Sequence, residues 1–181
     1  KDSAGVSKSA TWSFGIIVAG GGSTTLAGQW DFENGDLSAT VGQPLQYLDG
    51  PAGLTAQGTH FGTTTEHGVD NINGEVARVM EVPGDLKREI GYVMTHGIAP
   101  NGGGTRVNQY TLVMDLMIDT SGPGAASLLQ VSSLNNTDDG DLFWQGTNFG
   151  QGGGGYNGTG AFTPNAWHRV AASYDEGAKV P

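Results

Sequence analysis

The sequence predicts an all-β fold, an antiparallel sandwich of two sheets, and three observations lead to it. Apolar residues recur at every second position in several short segments, the spacing that places them on one face of a strand. These segments are separated by turns rich in Gly, Asn, Asp and Pro, and Gly alone accounts for 32 of the 181 residues. Strands at such short intervals, without a helical period, are typical of sandwiches.

The composition narrows the classes of partner. With 36% hydrophobic residues and seven scattered Pro, the chain can bury a core and is neither disordered nor collagen-like. A net charge of −10 repels phosphate backbones, so we expect no nucleic-acid partner, and cations or neutral ligands are the natural alternatives. The chain has no Cys and no apolar run of roughly 18 residues, so we expect neither disulfides nor insertion into a membrane.

The first segment predicts one strand followed by a linker. Alternating apolar residues at positions 10 to 18 indicate a strand within residues 1–19, and the glycine-rich stretch 20–25 has the composition of a linker. The turn Asp2 to Gly5, followed by a strand containing Trp-Ser-Phe, resembles the closing strand of bacterial immunoglobulin-like modules. The resemblance implies that residues 1–19 end a preceding module and that the main domain spans 26–181.

Eight further strand candidates follow in order. Each has apolar or β-branched residues at alternate positions and is bounded by Gly, Asn, Asp or Pro. In the third candidate, for example, Val76, Arg78 and Met80 alternate with Ala77, Val79 and Glu81. The eight candidates are 26–34, 45–50, 74–83, 88–97, 108–119, 126–134, 140–146 and 166–175. One helix of at most two turns is predicted at 83–90.

Three of these blocks resemble concanavalin A-like, laminin-G-like jelly-roll domains of bacterial secreted and surface proteins. They are WDFENGDL (30–37), NQYTLVMDLMID (108–119) and TPNAWHRVAASYD (163–175), in the order and spacing of that family. The resemblance implies a jelly-roll sandwich. It also implies further strands after residue 175, so we expect a domain that is truncated at its C-terminal end or completed by strands from another copy.

The strand 108–119 has two carboxylates on one face, Asp115 and Asp119. At about 3.3 Å per residue they lie roughly 13 Å apart, whereas the carboxyl pairs of glycosidases lie about 5 to 9.5 Å apart. The Glu-x-Asp-x-x-Glu strand of the related sandwich glucanases is also missing, because this strand contains no Glu. We therefore expect Asp119 to start a turn and Asp115 to lie on a solvent-facing or partly covered face, without a catalytic role.

Two acidic turns are candidate calcium sites. Asp138, Asp139 and Asp141 surround a glycine, and Glu33 and Asp36 follow the first strand of the main domain. Ca²⁺ takes six to eight oxygen ligands, and calcium at sandwich loops is what the family resemblance implies. The alternative is that these Asp and Gly residues serve turn geometry.

The glycine-rich loop 150–160 is a candidate ligand rim. Tyr156, with Phe149 and Trp144 near it in sequence, could stack on a sugar ring, and the alternative is that these aromatics flank the loop as core residues. No helix follows the loop, which excludes a phosphate cradle. Trp30, Phe32 and Trp167 are predicted core residues, and the four histidines lack the spacing of a zinc site.

Taken together, these features predict a non-catalytic binding or adhesion module of a secreted or cell-surface protein, with a glycan or protein ligand and calcium as a candidate cofactor. A structural or self-assembling spacer, whose copies exchange strands, is the alternative. A glycan hydrolase or lyase is the third hypothesis. The fold alone cannot separate these classes, because one fold hosts many functions.

Overall fold

The computed structural model describes residues 10–20, 23–83, 90–118, 125–132, 140–146, 148–151 and 162–175. Within these ranges the chain forms eleven strands and one short helix, which confirms the all-β prediction. In chain order they are β1 (Ala10–Gly20), β2 (Ser23–Trp30), β3 (Gln46–Asp49), α1 (Leu54–Gly58), β4 (His60–Thr63), β5 (Arg78–Glu81), β6 (Ile90–Val93), β7 (Gln109–Ile118), β8 (Ala125–Leu129), β9 (Leu142–Gln145), β10 (Asn148–Gln151) and β11 (His168–Asp175).

The largest sheet has six strands and is organised around β1. Its order is β11-β7-β1-β5-β4, and β2 also pairs with β1. β1 is antiparallel to β7 over eight consecutive pairs, from Ala10 opposite Ile118 to Ile17 opposite Thr111. On its other side β1 pairs with β2 along most of its length and with β5 at Thr11.

This arrangement differs from the predicted division of the chain. The strand predicted to close a separate module lies in the middle of the main sheet. Residues 23–25 of the predicted linker belong to β2, and only two residues separate the partners Gly20 and Ser23. Those two residues are Gly-Gly, a composition that two-residue hairpins favour, so the same glycines that indicated a linker suit a tight connection.

Two smaller sheets complete the described strands. β10, β9 and β8 form one sheet, and β3 and β6 form the other. Every strand pair among them is antiparallel, as the sequence predicted. The described strand order does not establish a jelly roll.

One hydrophobic core joins the sheets. Along β7, Leu112, Met114 and Leu116 are buried, while Thr111, Val113 and Asp115 alternate with them and are partly exposed. The buried face packs in one cluster with side chains from the six-stranded and three-stranded sheets and their loops, including Trp30, Phe32, Met80, Leu128, Leu142, Trp144 and Phe162. The prediction that Trp30 and Phe32 are core residues is confirmed. Trp167 is only partly buried, and its Nε1 donates to the Asp70 carbonyl at 2.6 Å.

Three described elements were not predicted: α1, β4 and β10. Each has only four or five residues and no apolar alternation of its own, so its conformation depends on partners elsewhere in the chain. Residues 84–89 of the predicted helix lie outside the described ranges. Among the described residues no helix is long and apolar enough to cross a bilayer.

We predict that Gly28→Ala destabilises the fold by about 1–3 kcal/mol, as overpacking does. A Cβ at Gly28 would lie 2.5 Å from a ring carbon of Trp30. That ring is fully buried, and its Nε1 donates to the Gln43 carbonyl at 2.9 Å, so it cannot move aside freely. Gly15→Ala on the facing strand is the control, because its Cβ would meet neighbours only at 3.5 Å. Equal denaturant midpoints for the two variants would contradict this packing.

Candidate functional site

The two-stranded sheet places two tyrosines side by side. Tyr47 of β3 lies directly opposite Tyr92 of β6, and directly opposed residues project from the same face of a sheet. The ring centroids are 5.9 Å apart and the planes are inclined by 46°. Tyr47 is 39% exposed, whereas Tyr92 is partly buried against the core. The pair therefore has one anchored ring and one accessible ring.

Helix α1 is attached to both strands of this small sheet by hydrogen bonds. The carboxylate of Asp49 accepts the amide hydrogens of Thr55 at 2.6 Å and Ala56 at 3.0 Å. The fully buried Thr55 hydroxyl donates to the Leu48 carbonyl at 2.9 Å and accepts from the Gly91 amide at 3.1 Å. These bonds satisfy amides at the start of the helix that have no partner within it.

The hydroxyl of Thr59 holds the anchored tyrosine. Thr59 Oγ1 donates to the Thr55 carbonyl at 2.6 Å and lies 2.7 Å from the Tyr92 hydroxyl. A threonine hydroxyl has one hydrogen, so the Tyr92 hydroxyl is the donor in the second bond. We call Tyr47, Tyr92, Thr59 and Asp49 the tyrosine surface.

The tyrosine hydroxyls of this surface are neutral at physiological pH. Burial raises the pKa of Tyr92 well above its ordinary value. Burial also raises the pKa of Tyr47, and the negative charges of Asp49 and Asp36 add to the effect. Both hydroxyls therefore keep their hydrogens. Tyr92 donates its hydrogen to Thr59, and Tyr47 can donate to a ligand or a neighbour.

The two carboxylates near Tyr47 are ionised. Hydrogen bonds from the side chain and the amide of Ser38 lower the pKa of Asp36. Desolvation acts to raise the pKa of Asp49, but the amides of Ala56 and Thr55 outweigh it, so the pKa is lowered. Neither group carries a proton at neutral pH.

The candidate calcium turn after β2 uses its polar groups to hold its own backbone. Asp36 accepts the Ser38 amide at 2.8 Å, and the Asn34 side chain donates to the Ser38 hydroxyl at 3.0 Å. Asp31, which the sequence did not single out, accepts the Glu33 amide at 3.3 Å. These contacts match the turn-geometry alternative for Glu33 and Asp36.

The other candidate calcium turn is only partly described. Asp141 is fully buried and accepts the Val131 amide at 2.9 Å, whereas Asp138 and Asp139 lie outside the described ranges. Within those ranges no group of three or more His, Asp or Glu side chains is arranged to hold a metal. Calcium at these turns stays a prediction.

The aromatics of the candidate ligand rim lie in or against the core. Trp144 is 7% exposed, and Phe149 makes an edge contact with the buried Phe162 at 5.5 Å between ring centroids. This is the core alternative that the sequence left open for Trp144 and Phe149. Tyr156 lies outside the described ranges.

Asp115 lies on the partly covered outer face of the main sheet and is bound by an arginine. Its carboxylate accepts two hydrogen bonds from Arg169 of β11, at 2.7 and 2.6 Å. Further along the same two strands Thr111 contacts Ser173, and Gln109 donates to Asp175. The strand therefore presents cross-strand polar pairs, as expected for a structural face. Asp119 lies outside the described ranges.

Sequence reasoning missed the tyrosine surface. The candidates 45–50 and 88–97 each contain one central Tyr, and that is the only local signal. The pairing of Tyr47 with Tyr92 joins residues 45 positions apart, and the bond from Tyr92 to Thr59 spans 33.

Comparison of the chain with protein-family models, with curated proteins and with solved structures found no match.

We predict that Thr59→Val destabilises the protein by about 1–3 kcal/mol, because it leaves the partly buried Tyr92 hydroxyl without its acceptor. Thr111→Val is the matched control, since its hydroxyl contact with Ser173 is solvent-exposed, and we expect a change within about 0.5 kcal/mol. Urea unfolding of both variants measures the difference. A smaller loss for Thr59→Val than for the control would contradict the anchoring role of Thr59.

We predict a small coupling between Asp115 and Arg169, about 0.5–1 kcal/mol, because the arginine side chain is 67% exposed. A double-mutant cycle with Asp115→Asn and Arg169→Gln measures it, and the coupling should shrink in high salt. A coupling that is zero at low salt would show that the bidentate pair does not form in solution.

Proposed function

We propose that this chain is a non-catalytic binding module of a larger secreted or cell-surface protein, and that its glycan or protein ligand contacts the tyrosine surface. The observation that supports this most directly is the exposure of Tyr47. Tyr47 is 39% exposed, and the ring that it contacts, Tyr92, is fixed by a hydrogen bond to the buried Thr59. An aromatic ring held in place yet open to solvent is a typical contact residue.

The physical advantage of this arrangement is preorganisation. Tyrosine offers a large contact area and has few rotatable bonds, so little entropy is lost when it binds. Contact with Tyr92 restricts the Tyr47 ring before any ligand arrives, which lowers the cost further. Leu54 at the start of α1 and Val93 at the end of β6 are also more than 40% exposed and add apolar area to the same unit.

The described carboxylates support a non-catalytic role. A glycosidase needs one protonated carboxyl group as its general acid and a second carboxylate close to it. Asp36 and Asp49 have lowered pKa values, and Asp115 is bound by Arg169. With lowered pKa values, neither Asp36 nor Asp49 is suited to donate a proton at neutral pH.

The proposal includes the finer fold, a concanavalin A-like jelly roll. Its support is the order of the three sequence blocks and the single core shared by the six-stranded and three-stranded sheets. A secreted or cell-surface location is likewise part of the proposal, and it follows from the resemblance of the three sequence blocks to laminin-G-like domains.

We predict that Tyr47→Ala weakens ligand binding at least tenfold, as truncation of an aromatic contact residue commonly does. A printed glycan array and a pull-down from a surface-protein extract identify the ligand, and calorimetry then compares the variants. Val131→Ala is the control, because Val131 is 58% exposed and lies outside the tyrosine surface. A folded Tyr47→Ala protein that binds as tightly as the unmodified chain would contradict the proposal.

A further inference from the structure

Two carboxylates lie near the exposed ring of Tyr47. Asp49 follows it by two positions in β3, so both project from one face at a separation of roughly 7 Å. The Leu45 amide donates to the Leu37 carbonyl at 2.9 Å, which brings the turn containing Asp36 close to the start of β3. Both negative charges act on the Tyr47 hydroxyl.

These carboxylates are fixed and still have capacity to accept hydrogen bonds. An ionised carboxylate offers about four lone-pair positions. Asp49 uses two of them for the amides of Thr55 and Ala56, and Asp36 is held by Ser38. The remaining positions can accept hydrogens from the hydroxyl groups of a sugar lying on the ring.

A positive charge also lies close to the turn that contains Asp36. Arg78 lies beside Gly35, and because it also acts on the carboxylate of Glu66, its single charge is shared among several carboxylates. The chain as a whole has a net charge of −10.

We propose that the tyrosine surface selects neutral, hydroxyl-rich glycans and rejects glycans with carboxylate or sulfate groups. This inference rests on the proposed function and names its ligand class. At about 7 Å in water, repulsion between two unit charges lowers a binding constant about threefold. Two carboxylates together give a discrimination of roughly tenfold at low salt, which falls as salt shortens the range of the interaction.

The test compares matched oligosaccharides, a neutral hexose oligomer and the uronic acid oligomer of the same length and linkage, on an array and then by calorimetry at low and high salt. We expect the neutral member of each bound pair to bind about tenfold more tightly at low salt, with the gap closing at high salt. Asp36→Asn should narrow the gap about threefold. Asp70→Asn, a change at another exposed residue, should leave it unchanged.

The outcomes separate the two proposals. Equal binding of neutral and acidic oligomers at low salt, with Tyr47 still required, overturns the ligand class and leaves the binding function standing. Glycan binding that does not require Tyr47 overturns the assignment of the surface itself. Binding of a protein partner through Tyr47, with no glycan bound, also overturns the ligand class.

Discussion

The register of β1 against β7 is the constraint on which the rest of the structure depends. Eight consecutive pairs place β1 between β7 and the strands β2 and β5. Because side chains alternate along a strand, a slip of one residue would turn the buried face of β7 outward. Leu112, Met114 and Leu116 would leave the core, and Asp115 would enter it. The shared core thus requires this one register.

Packing against that core fixes the position of the tyrosine surface. Leu45, directly before β3, is buried in the core cluster, and Tyr92 and Met94 pack against it from β6. The small sheet therefore packs on the main body through the face that carries Leu45 and Tyr92, and Tyr47 on the same face remains 39% exposed. Under the proposed binding function, contact groups that are held by the core in this way need little rearrangement to meet a ligand.

Local patterns predicted faces well and partners poorly. Asp115 was expected on a solvent-facing or partly covered face, and it is partly exposed between the buried Met114 and Leu116. The expectation that Asp115 and Asp119 form no catalytic pair stays a prediction. The partner of Asp115 could not be predicted, because Arg169 lies 54 positions away. For the same reason the sequence did not predict that Thr59 and the two tyrosines lie in contact. The glycines at 20–22 were ambiguous, since the same residues suit a linker and a tight hairpin, and the pairing of Gly20 with Ser23 between β1 and β2 favours the hairpin.

Hydrogen exchange of the β1 amides is the most direct test of this account. In a monomeric sample, the amides of Ser13 to Ile17 should be as protected as those of Val113 and Met114, because strands in the middle of one sheet open only on global unfolding. Amides of the exposed Gly103 and Gly104 should exchange rapidly and serve as the reference. Exchange of the β1 amides at the rate of those glycines, while β7 stays protected, would show that the first strand is not part of this domain.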